Sequence, residues 1–294
     1  GSIVRDTGYS YQSDGYIGND LTLLAKHLVR GRNIISAAYA QEPDSLLYFV
    51  TDDGWILCLT YVADQKVYAW SHFVTNGKYK AVCAANHGNN DRIYAVVERR
   101  INGKSVRYLE YFAPLVESDA EQDYTMMDAA VRAEYQAPQK KLPAGDVLLG
   151  KDVAVMADGY FFEGVKMAAD ARIPEAAKNI MVGLPYTMTL EQPNWDAGNT
   201  DTGTVQGRKK VVTNAILRLT KSYGGRVGQN TRRLDKIIYD AEAMETDNNV
   251  LYTGDKKITL PAGGYDTDGR TCIVHDTPYP FSLSAIIREV SFGG

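Results

Sequence analysis

Four histidines, His27, His72, His87 and His275, are the residues best suited to hold a metal or move a proton near neutral pH. They are scattered, and no pair has a spacing that would set two rings on one ion, so no metal site is expected. His72 alternates with Trp70 on a strand pattern and reads as structural. Asp266-Thr267-Asp268-Gly269 resembles the opening of a calcium loop, but the bidentate Glu that would close it is missing, and a hairpin turn is the better reading. Gly224-Gly225-Arg226-Val227-Gly228 has the glycines of a phosphate cradle without the Lys-Ser/Thr that must follow, so it reads as a loop. Neither a Gly-x-Ser-x-Gly elbow nor an HExxH pair occurs. The carboxylate pairs Asp52-Asp53 and Asp119/Glu121 fall in turns or polar segments, where solvation is their ordinary role. The short basic runs Arg208-Lys209-Lys210 and Arg232-Arg233 are expected to face solvent or a partner's carboxylates. The pattern predicts a protein that is not an enzyme and carries no cofactor.

The elements that would position such residues are strands. Two consecutive copies of one antiparallel unit fill Ile34 to Phe112: IISAAY (34–39), SLLYFVT (45–51), WILCLTY (55–61) and VYAWSHF (67–73), then YKAVCAA (79–85), RIYAVVER (92–99) and SVRYLEYF (105–112). Val, Ile, Tyr, Trp and Phe suit a pleated, half-buried surface. Polar turns separate the runs at 41–44, 52–54, 63–65, Asn76-Gly77, Asn89-Asn90-Asp91 and Asn102-Gly103, where Asn-Gly and Asp-Gly supply positive φ. Laying Leu47-Tyr48-Phe49-Val50 over Ile93-Tyr94-Ala95-Val96 gives an offset of 46 residues, within the roughly 40–50 residue period of propeller blades. Two successive blades of a β-propeller are therefore expected.

The 294 residues suffice for about two domains, and 45% hydrophobic with 23% charged residues is an ordinary soluble balance. The 20 tyrosines are the outlier; Tyr serves strand faces and also interaction surfaces. A net charge of −4 and a pI of about 5.7 give no global attraction to nucleic acid. Three widely spaced cysteines, Cys58, Cys83 and Cys272, imply no disulfide framework and favour assembly in a reducing cytoplasm. Cys58 and Cys83 are expected to act as small apolar strand residues. No run approaches the ~18 apolar residues of a membrane-spanning helix, so no membrane insertion is expected.

Along the chain, Gly1-Ser2 reads as a cloning scar and 1–16 as a truncated arm without a period. Asn19 or Asp20 is expected to cap a short helix over Leu21–Val29, closed by Gly31, with Leu21, Leu24, Ala25 and Leu28 on one face. Met126–Ala133 reads as helical within an acidic-then-mixed excursion, 117–141. Strands return over 145–165, with Asp158-Gly159 as a hairpin turn, and over 179–193, with two short strands around Gly183 and Pro185. A glycine-rich loop, 196–207, leads into an alternating strand over 210–224, and 231–246 reads as helical or irregular. VLYTG (250–254), KITLP (257–261), TCIVH (271–275) and SLSAIIREVSF (282–292) close the chain as strands. The fold class is all-β.

The stretches NDLTLLAKHLVRGRNIISAAYAQEPDSLLYFVTDDGWILCLTYVADQKVYAWSHF, ERRINGKSVRYLEYF, LLGKDVAVMADGYFFEGV, NIMVGLPYTMTLE, QGRKKVVTNAILRLTKSYGGRVG and LYTGDKKITLPAGGYDTDGRTCIVHDTPYPFSLSAIIREV together resemble the tail tubular, or nozzle, proteins of short-tailed bacteriophages, also called phage stabilisation or tail hub proteins. The ordered set carries the resemblance, over about 17–292. It implies the C-terminal portion of a longer virion structural protein, which forms a homohexameric ring below the portal and adaptor and the channel for genome ejection. Double-stranded DNA would pass without sequence-specific binding, along a wall whose acidity avoids phosphate pairing.

On this basis the expected division is a 1–16 arm, two blades with a leading helix over 17–116, an inserted β-rich platform over 117–248, and C-terminal strands, 249–294, returning to the β core. Loops on a rigid scaffold usually carry binding, which points to Asp196, Asn199, Asp201, Glu117, Asp119 and Glu121 as candidate subunit contacts. A glycan- or receptor-binding β-protein, using Trp55, Trp70, Trp195 and the tyrosines as stacking platforms, is the alternative. An envelope glycosidase would need two carboxylates ~5–10 Å apart in a cleft.

Overall fold

The structure, a computed structural model, describes residues 1–113, 126–196, 198–200, 203–239, 251–260 and 263–293. The chain is all-β, built of antiparallel sheets, and divides into two compact units, Gly1–Leu115 and Val116–Gly294.

The first unit opens with a hairpin, β1 (Arg5–Ser10) and β2 (Gly15–Asp20), where a structureless arm was expected. Asp14 takes positive φ and Gly15 follows it at the turn. Next comes α1 (Lys26–Val29), a single turn. The longer helix fails because the Asp20 carboxylate is used one step earlier: it accepts the Thr22 amide at 2.8 Å and the Thr22 hydroxyl, stabilising a turn and leaving α1 without a side-chain cap. Ala25 and Leu28 are buried as expected, but Leu24 is 94% exposed.

A four-stranded meander follows, β3 (Ile34–Ala40), β4 (Leu46–Thr51), β5 (Ile56–Val62) and β6 (Val67–Phe73), then a three-stranded one, β7 (Lys78–His87), β8 (Asn90–Ile101) and β9 (Lys104–Tyr111). These strands fall where the alternation and turn residues put them. The exception is the β7–β8 turn, which sits at Gly88-Asn89 because His87 pairs with Asn90.

Strand alternation sorts the side chains into layers. Tyr48, Val50, Ile56 and Cys58 of the first sheet meet Tyr79, Val82, Ile93, Ala95 and Val97 of the second in one buried core. Phe49, Leu57 and Leu59 point the other way, into a core closed by Ala25, Leu28 and Val29. The second sheet and the α1 segment thus cover opposite faces of the first sheet.

The second unit starts with β10 (Met127–Lys141), a strand where a helix over Met126–Ala133 was expected. Its Ala and Glu residues favour a helix weakly, and pairing with β13 (Arg172–Pro185) overrides that preference. Between them lie β11 (Asp152–Ala157) and β12 (Tyr160–Lys166), joined by the Asp158-Gly159 turn, both residues at positive φ; the sheet order is β10-β13-β11-β12. Gly183 does not divide two strands. It lies inside β13, where a Cβ would come within 2.7 Å of the Met127 Cβ.

The remaining strands are β14 (Met188–Glu191), the short pair β15 (Asn199–Thr200) and β16 (Gly203–Thr204), β17 (Lys210–Ser222), β18 (Arg226–Asn230), β19 (Arg233–Lys236), β20 (Tyr252–Thr259), β21 (Cys272–His275) and β22 (Ser282–Phe292). They form the sheets β14-β21-β18-β19 and β20-β17-β22. Val212, Ala215, Leu217 and Leu219 of β17 pack with Val227 and Ile273 in a shared core. The imperfect alternation of β17 has a cause: register shifts lie between Val212 and Asn214 and between Leu219 and Ser222.

Further expectations change here. The 196–207 loop contains the β15–β16 pair, and Arg226 already belongs to strand β18. Residues 252–254 and 257–259, from the two runs expected as separate strands, lie in one strand, β20, through Gly254. The C-terminal strands do not stand apart from 117–248, because β20 and β22 flank β17 and β21 joins β14 to β18. Of the region 231–246, the described part holds the strand β19 and no helix.

Candidate interaction surfaces

Of the residues expected at subunit contacts, Glu117, Asp119, Glu121 and Asp201 lie outside the described residues, and of Asn199 only its backbone pairing with Thr204 in the β15–β16 hairpin is given. Asp196 is exposed and held by its own loop. Its carboxylate accepts the Gln206 amide and the Gly198 N–H at 3.0 Å, and these bonds hold it below the usual carboxylate range.

Beside it, Arg208 and Lys209 of the expected solvent-facing basic run are exposed, but Lys210 is not. It is 2% exposed, and its ammonium donates to the Trp195 carbonyl at 2.8 Å. The Asp266 carboxylate accepts the Asp268 and Gly269 amides at 2.9 and 2.7 Å, and Lys210 exchanges backbone bonds with Asp266. Asp266–Gly269 is thus a turn, and it closes around a lysine stem. Gly269 is at positive φ, and a Cβ there would lie 2.9 Å from the Lys210 Cδ. Among the described residues, no group of three His, Cys, Asp or Glu could hold a metal ion.

His72, His275 and the tryptophans are engaged within the fold, whereas His27 and His87 are exposed. Trp55 carries the Arg32 guanidinium 4.0 Å from its ring centre and stacks on His72 at 4.8 Å; burial is the main cause of the lowered His72 pKa. Trp70 donates to the Leu21 carbonyl at 2.8 Å. Trp195 lies against Phe292. His275 is buried beside Phe281, with its Nε2 3.1 Å from the Tyr223 carbonyl and from the Thr277 hydroxyl; burial depresses its pKa, partly offset by the carbonyl and by Asp276. These contacts orient and pack; they bring no nucleophile to a base.

Among the described residues, two exposed apolar surfaces of the first unit stand out. One is the outer face of the β7-β8-β9 sheet. Tyr94 and Val96 of β8 lie there beside their cross-strand partners Tyr111 and Leu109 of β9, and Leu109 is 73% exposed. Arg92 sits 4.9 Å over the Tyr111 ring, while Glu98 pairs with Lys80 at 3.9 Å and Arg107 at 3.6 Å. Cys83, opposite Tyr94, lies within β7 as expected and is exposed. The second surface is the β1–β2 hairpin, where Tyr11 and Tyr16 meet Tyr9 edge-on at 5.1 and 5.7 Å and Ile17 is exposed.

The sequence carried a signal for the first surface. RIYAVVER is apolar in both strand phases, Ile93, Ala95 and Val97 in one and Tyr94 and Val96 in the other, the pattern of a strand covered on both faces. No helix among the described residues is long and apolar enough to cross a membrane. No protein family matches the sequence, and no curated protein matches it.

Proposed function

We propose that this chain is a structural protein of a short-tailed phage tail: a nozzle or tail tubular subunit that works as a homohexameric ring below the portal and adaptor. The observation that carries the reading is the repeat. Two meanders of like sequence, 46 residues apart, pack face to face and meet at equivalent first strands, with the Ser36 hydroxyl bonded to Val82. Blades of a propeller meet in this way. The polar groups with buried partners are spent on the fold, which suits a building block more than a catalyst. The platform role falls to the second unit, and double-stranded DNA passes through the ring without sequence-specific contact. In this role the protein belongs to the virion.

Electron micrographs of the purified chain test this. Averages with sixfold symmetry and a central opening support the ring; monomers at every concentration contradict it.

A second reading, glycan or receptor binding by a tail protein, is favoured by the exposed cluster Tyr9, Tyr11 and Tyr16, since such rings can stack on sugars. Binding of the monomer on a glycan array, lost in Tyr11→Ala, supports it; the absence of binding removes it.

A further inference from the structure

We infer that the outer face of the β7-β8-β9 sheet docks the β1–β2 hairpin end of a second copy of this chain, head to tail. The inference rests on the ring reading and names the surfaces that such a ring would use.

The repeat identifies the face as one built to be covered. At the 46-residue offset, Tyr48 and Val50 correspond to Tyr94 and Val96. Tyr48 and Val50 are buried against the second sheet. Tyr94 and Val96, on the matching face of the next sheet, have no described layer over them, and Leu109 and Tyr111 beside them are exposed.

The layers fix the direction. The hairpin is rooted on the other side of the first sheet: Leu21 bonds to Val4 through the backbone, both pack on the core of Phe49, Leu57 and Leu59, and Trp70 on that face donates to Leu21. The hairpin root and the open sheet face therefore lie at opposite ends of one stack. A contact between them in a single copy is excluded, and one between copies is heterologous, the kind that generates rings or open chains.

Charge agrees. The segment 78–111 has seven Lys and Arg against three Asp and Glu, a net of +4 in a chain of net −4, whereas 5–20 has Arg5 against Asp6, Asp14 and Asp20, a net of −2. The exposed rings of Tyr11 and Tyr16 are anchors of the type found at interface centres.

Cys83 on the face supplies a probe, because Cys58 and Cys272 are buried. Ser13, exposed in the β1–β2 turn, can become cysteine while the Tyr11 and Tyr16 rings are kept. One chain carries Ser13→Cys with Cys83→Ala; a tagged chain of different size keeps Cys83. Oxidation of the mixture should give the mixed dimer about tenfold over either homodimer, the ratio that ~1.4 kcal/mol of preference produces. Leu109→Arg in the tagged chain should abolish that excess at an unchanged melting temperature. Mixed and homodimers in statistical proportion, or no crosslink, overturn the inference. Sixfold rings with no mixed crosslink would discard this contact and keep the ring, whereas a strong mixed crosslink without rings would keep the contact and discard the closed hexamer.

Discussion

Ser36 and Val82 stand 46 residues apart and touch: the Ser36 hydroxyl accepts the Val82 amide N–H at 3.2 Å and lies 3.4 Å from the Val82 carbonyl. The bond joins equivalent first strands, β3 and β7, at the seam between the two sheets. Val82 is buried, so Ser36→Ala leaves its amide without this partner at a cost of ~1–2 kcal/mol. Urea unfolding should show a lower midpoint with an unchanged slope; a changed slope would mean that the two sheets no longer unfold together.

The Arg99–Glu110 pair predicts an asymmetry. Arg99 is 1% exposed, forks onto Glu110 at 2.5 and 2.6 Å, and donates to the Asn76 carbonyl at 3.0 Å. Glu110→Ala strands a buried guanidinium and should cost about 3 kcal/mol, whereas Arg99→Met leaves a carboxylate that reaches water and should cost clearly less. Thermal melts of the two variants decide it, and equal losses would refute the asymmetry.

Much of the first unit was legible because two signals agreed there. Strand alternation and the Asn-Gly or Asp-Gly turns mark the same boundaries, so β3 to β9 fall within a residue or two of the expected spans. The misses have separate causes. The β1–β2 hairpin was announced only by Asp14-Gly15, with polar strands on both sides. MDAAVRAE has helical composition, and only its pairing with β13 makes it β10. Gly254 resembled a break yet lies within β20. Of the residues offered as contacts, Asp196 is exposed; the exposure of Leu109 and Tyr111 was not foreseen, because it depends on which strand phase is covered.

The cysteines predict selective chemistry. Burial pushes Cys58 up to about 11 and raises Cys272 as well, while Cys83 is exposed. Iodoacetamide on the folded chain at neutral pH should therefore add one group, at Cys83, and three after denaturation. Intact mass and peptide mapping read this directly; rapid native labelling of Cys58 would contradict the buried seam.

His275 predicts a pH window. Its folded pKa lies below the ordinary value near 6.5, so the unfolded chain binds the proton more readily. The stability contributed by neutral His275 is complete above about 6.5 and falls as pH drops towards the folded value. His275→Gln should flatten the melting-temperature profile in that acidic range, and an unchanged slope would mean that other groups carry it.

The mass of the chain in solution decides whether these residues assemble into a ring. Light scattering over a concentration series should rise from 32.5 kDa towards six times that, about 195 kDa, with Leu109→Arg holding the chain at the monomer. A strict 32.5 kDa at the highest concentration would contradict ring assembly by these residues.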